Sequence, residues 1–119
     1  MLASIVGVIA LVLGGLYAGQ RSLIYFPSPL GPGELERAVA AEFGDAAELL
    51  PGFDAIVVAP ADGAAVATAI VFHGNAGLNV HRAPLARELA TRGLRVVLAE
   101  YPGYGARAGS PSERSLVED

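Results

Sequence analysis

Val66-Ala67-Thr68-Ala69-Ile70-Val71-Phe72-His73-Gly74-Asn75-Ala76-Gly77 decides the fold, because an apolar, β-branched run passes without a break into a polar, glycine-rich loop. The run has no alternation of apolar and polar positions. That is the pattern of a strand covered on both faces, so it is expected at the centre of a parallel sheet. The loop from His73 to Gly77 then falls at the carboxyl edge, where open α/β sheets bind ligands. Small residues there let the backbone turn sharply and present N–H groups, as stabilising a developing oxyanion or cradling a phosphate requires.

Downstream, Leu85, Ala86, Leu89 and Ala90 form a helical stripe, with Pro84 near its start and Gly93 placed for a C-terminal cap. Leu94 to Ala99 reads as a second buried strand. Strand, helix and strand at this spacing make a βαβ unit, with parallel strands and a right-handed crossover. After it, Ser110-Pro111-Ser112-Glu113 reads as a helix start, with serine as cap, proline in the first turn and the glutamate closing a capping box.

Upstream, Glu34 to Phe43 is expected to be a short amphipathic helix, with Leu35, Val39 and Phe43 on one face and Gly44 as its stop. Pro51-Gly52 reads as a turn and Ala55 to Ala59 as a strand. The Asp62-Gly63 pair after it is expected to close a hairpin. Pro27 to Gly33 holds too many prolines and glycines for regular structure, and Ser22 to Phe26 is read as a short extended piece.

From Leu2 to Ala18 there is no charge, and residues 2–19 are just long enough to cross a bilayer as a helix. Tyr17 and Arg21 suit the interface where such a helix leaves the membrane. A cleaved signal peptide is the competing reading, but a basic n-region is missing and Leu16-Tyr17-Ala18 is a poor cleavage site. Arg21 and Arg37 favour a cytoplasmic position for the residues beyond the helix, whereas an unremoved export signal puts them on the opposite side. The expected organisation is an anchor over residues 1–20, a linker over 21–33 and an α/β unit over 34–119.

Composition narrows the function further. The 119 residues are 53% hydrophobic with a net charge of −4, which is neither disordered by composition nor basic enough for a nucleic-acid surface. Cysteine is absent, which excludes a disulfide framework, a thiolate metal site and a cysteine nucleophile. His73 and His81 are separated by the glycine-rich loop and lack suitable carboxylates nearby, so no metal or organic cofactor is expected.

The loop, the helix and strand after it, then Glu100-Tyr101-Pro102-Gly103-Tyr104-Gly105 and Gly109-Ser110-Pro111-Ser112-Glu113, resemble one branch of the α/β-hydrolase superfamily. In that branch an N-terminal anchor precedes a serine-hydrolase domain related to serine aminopeptidases and esterases, and the resemblance spans about residues 21–119. It implies the N-terminal part of an α/β-hydrolase sheet, a lipid bilayer as partner of residues 2–19, and a small acyl substrate. The oxyanion loop would be His73, Gly74, Asn75, Ala76 and Gly77, with Asn75 and Ala76 donating backbone N–H groups. His73 would shape the loop rather than act as general base, since the family's catalytic histidine lies near the C-terminus. Tyr101, Gly103, Tyr104 and Gly105 would form a turn at the site mouth. Pro102 stands where many relatives have arginine, so this position is given no substrate charge to bind.

The chemistry implied needs a serine nucleophile, an acid and a histidine in that order, and none can be placed. No Gly-x-Ser-x-Gly occurs, and Ser110, Ser112 and Ser115 sit where a helix begins. The chain is therefore expected to be a fragment whose nucleophile lies past Asp119, inactive by itself. Two other readings stand beside this one. The first is a membrane-tethered remnant without catalysis. The second is a nucleotide-binding domain, from Gly103 to Ala108 as Gly-x-Gly-x-x-Ala, although Gly109-Ser110-Pro111 delays the helix that such a site requires.

Overall fold

The computed structural model describes residues 2–119. Helix α1 (Leu2–Ile24) touches the rest only near its C-terminal end, and its apolar side chains from Ala3 onward are exposed. It is long and apolar enough to cross a membrane. It also continues through Ser22, Leu23 and Ile24, so the extended piece expected from Ser22 begins only at Tyr25. No proline or glycine lies between Arg21 and Ile24 to stop it, and Pro27 is the first strong breaker.

Helix α2 (Glu34–Phe43) runs over the expected residues and buries Leu35, Val39 and Phe43, one turn apart on one face. Strands β1 (Ala47–Leu50) and β2 (Ala55–Val58) form an antiparallel hairpin around Pro51-Gly52. Strand β3 (Ala67–Val71), helix α3 (Ala83–Thr91) and strand β4 (Leu94–Leu98) make the βαβ unit, with β3 and β4 parallel. Helix α4 (Glu113–Val117) closes the described chain.

The sheet order is β1-β2-β4-β3, and β2 is antiparallel to both of its neighbours. Registers Ile56↔Leu98, Val58↔Val96 and Val71↔Leu98 put these side chains on one face, where α2 and α3 cover them. Ala83, Ala86 and Ala90 are the buried positions of α3, and their small side chains let the helix lie close on β4. Burying a side chain such as Ile56 or Leu98 stabilises by roughly 1.5–3 kcal/mol.

Three expectations are corrected here. Strand β3 is at the edge, not the centre: Ile70 and Phe72 remain 61% and 59% exposed, and no strand among the described residues pairs with its outer side. An apolar run shows that a strand can be covered on both faces, but other segments must supply the cover. The Asp62-Gly63 turn exists, with the Gly63 N–H on the Pro60 carbonyl at 3.2 Å, but it joins no hairpin because β4 lies between β2 and β3. The real hairpin is at Pro51-Gly52, and its first strand, β1, is an element the residues alone do not announce. Lastly, α4 starts two residues later than expected. Ser112 is its cap and Ser115, not Glu113, closes the box.

Candidate functional site

The carboxyl ends of β3 and β4 lie side by side, so the residues just beyond them, His73 and Glu100, meet. Both side chains are fully buried, and Nε2 of His73 contacts Oε1 of Glu100. The other ring nitrogen, Nδ1, lies 2.8 Å from the Gly74 carbonyl oxygen, which can only accept. Glu100 in turn accepts from the backbone N–H of Tyr101 and of Asn79, both at 3.2 Å. Such pairing is what makes burial of both groups tolerable.

Tyrosines close the pocket around the imidazole. Tyr101 stands edge-on to His73 at 4.7 Å between ring centroids, and Tyr104 lies at 5.3 Å. Phe72 stacks on Tyr101 at 5.8 Å. Tyr104 is 2% exposed, and burial raises its pKa above the usual tyrosine value, partly offset by the backbone of Phe26.

Gly74 to Gly77 form a tight turn closed by the Gly77 N–H on the Gly74 carbonyl at 2.9 Å. Asn75 and Ala76 sit at its corner and are exposed, and among the described residues their backbone N–H groups donate to nothing. The Asn75 side chain points back into the protein. Its Oδ1 accepts from the Tyr104 hydroxyl at 2.9 Å and from the Phe26 N–H at 3.2 Å, while its Nδ2 donates to the Ile24 carbonyl. The turn is thus tied to the end of α1. The segment after α1 is held as well. Leu30 N–H donates to the Gly105 carbonyl at 2.8 Å, and Gly105 N–H donates to the Ser28 carbonyl at 3.2 Å. Residues read as a linker are strapped along the site.

Gly105 has φ of +56°, and a Cβ there would lie 2.6 Å from Oε2 of Glu100. The backbone passes over the buried carboxylate at a distance only glycine allows. Gly103 belongs to the neighbouring turn and packs against Ser110 and Pro111. Tyr101 and Tyr104 therefore gather around His73 and Gly105 lies against its partner Glu100, whereas Gly103 packs on the segment before α4. His81 is exposed, its Nδ1 taking the Leu78 N–H at 3.2 Å.

The sequence alone assigns no role to Glu100 or Asn79. A carboxylate directly after a buried strand is the available signal, because a charge there needs a partner. Asn79 is buried, and its Nδ2 donates to the Asp54 carbonyl at 2.8 Å, linking Glu100 to the turn between β1 and β2. Glycine-rich residues 103–109 open no helix, since α4 begins only at Glu113, which removes the geometry a dinucleotide would need. A cavity of about 440 Å³, lined by Asp45, Glu48, Val57 and Arg95, is at the opposite end of the strands from the turn.

No family model matches the chain, and no solved structure matches it. Among curated proteins, an uncharacterized protein of Mycobacterium tuberculosis is 34% identical over 132 residues, covering 97% of this chain and 43% of that protein. The uncharacterized Escherichia coli protein YfhR is 34% identical over 96 residues, covering 81% of this chain and 32% of YfhR. A lysophosphatidylserine lipase of Danio rerio is 42% identical over 52 residues, covering 42% of this chain and 14% of the lipase. The chain thus spans less than half the length of each, and the lipase is the hydrolase link among these three.

Proposed function

We propose that this chain supplies the oxyanion-binding half of an α/β-hydrolase site, held at a membrane by α1 and serving serine-dependent hydrolysis of an ester, thioester or amide. The observation that carries the reading is the turn at Asn75-Ala76, whose two backbone N–H groups have no partner among the described residues and lie at the carboxyl edge of a parallel strand pair. Those donors suit the oxyanion that forms when a serine hydroxyl adds to an acyl carbonyl. The buried His73–Glu100 pair and the Asn75 side chain hold the turn rigid, so the donors need little rearrangement when charge develops. The match to a lipase supports the same class.

The nucleophile must come from outside these residues. The sequence has no Gly-x-Ser-x-Gly, and Ser112 and Ser115 are committed to capping α4. His73 has both nitrogens engaged, so it is not free to take a proton from a serine. The same facts favour a second reading for the polypeptide alone, a membrane-tethered chain without catalysis. A serine-directed fluorophosphonate is expected to leave this chain unlabelled. It should label a protein whose reading frame continues from Asp119 through Gly-x-Ser-x-Gly and later Asp and His. Specific labelling of the chain itself, or a continuation lacking those residues, overturns the proposal.

A further inference from the structure

We infer that the Gly74–Gly77 turn lies at the bilayer surface, a placement that rests on the reading of α1 as a membrane span. A helix of 23 residues at about 1.5 Å each is about 34 Å long, against a hydrocarbon core of about 30 Å. The end of α1 therefore emerges at headgroup level. Arg21 lies in its last turn, and exposed Leu23, Ile24 and Phe26 continue the apolar surface past it. Asn75 hydrogen-bonds to Ile24 and to Phe26, so the turn cannot drift away from the exit point as it would on a free tether. The strap through Ser28, Leu30 and Gly105 holds the same geometry from the other side of the site. The loop after β2, around Asp62, is at the opposite end of β3 from the turn. An acyl group meeting such a turn belongs to a bilayer-resident amphiphile whose scissile bond lies at the headgroup boundary.

The chain has no cysteine, so single-cysteine variants can each carry one fluorophore. Val12→Cys, Ala76→Cys and Asp62→Cys, in the full chain reconstituted into phosphatidylcholine vesicles, report depth through quenchers on the acyl chain or on the headgroup. The expected result is acyl-chain quenching at position 12, and headgroup quenching at position 76 several-fold stronger than at position 62. Equal headgroup quenching at 76 and 62, with position 12 still quenched, overturns the placement and leaves the membrane span standing. Absence of quenching at position 12 overturns the span and the placement with it. A Phe26→Cys label should track position 76, which keeps the test readable if Ala76→Cys disturbs the turn.

Discussion

His73 and Glu100 stand 27 residues apart in sequence and meet in the interior, at the point where β3 and β4 end next to each other. Every remaining polar atom of the pair has a backbone partner, in Gly74, Asn79 or Tyr101. Removing one member leaves the other buried and unpaired. Glu100→Leu alone is therefore expected to destabilise the chain by about 3–5 kcal/mol. Adding His73→Leu should recover part of that loss. Guanidinium unfolding of the detergent-solubilised chain measures both, and equal stability of wild type and Glu100→Leu would refute the pairing.

Gly105→Ala is expected to be far more damaging than Gly63→Ala. Both glycines have positive φ, +56° and +82°, which costs a side chain roughly 1–2 kcal/mol. At Gly63 the new Cβ meets nothing within 4 Å, whereas at Gly105 it meets the Glu100 carboxylate at 2.6 Å. The collision should add about 1–3 kcal/mol. Similar unfolding midpoints for the two variants would contradict the close approach.

Tyr104 links stability to alkaline pH. Burial raises its pKa above the usual value of about 10, so on raising pH the unfolded chain loses this proton first. The folded state then binds more protons than the unfolded one, and stability falls with further increase. The contribution is complete below the unfolded pKa and lost as pH climbs through the folded one. Tyrosinate absorbance should show one tyrosine titrating late, and Tyr104→Phe should remove both that step and part of the alkaline loss. If the late step persists in the variant, the assignment to Tyr104 is wrong.

Asn75→Ala should loosen the turn and the strap together. It deletes bonds to Ile24, Phe26 and Tyr104, each worth about 0.5–1.5 kcal/mol. Amide exchange is expected to quicken in residues 25–30 and 73–77, with β2 and β4 unchanged. Asn75→Asp keeps the acceptor and loses the donor, so it should fall between. Faster exchange confined to 73–77 would show that the strap holds without Asn75.

Ile70→Lys is expected to reduce aggregation while changing stability by no more than about 0.5 kcal/mol. Ile70 sits on the open face of an edge strand, where apolar surface and unpaired backbone groups invite association. Light scattering of the solubilised chain against concentration provides the comparison.

Much of the local structure was legible in the residues. Leu35, Val39 and Phe43 set the buried face of α2, Gly44 its end, and the run from Leu94 the strand β4, because helix and strand periodicity depend on near neighbours. The turn at Asn75-Ala76 was also visible, since small residues after an apolar strand leave little alternative. Tertiary structure alone decided which strands are neighbours, and so that β3 lies at an edge and that Ala47–Leu50 pairs at all. It also brought Glu100 to His73 and Asn75 to Ile24, contacts between residues far apart in the chain. Such contacts leave no periodic trace in sequence. They arise when strand pairing and helix packing bring remote backbone ends together, and a buried charge or amide then takes whatever partner lies within reach.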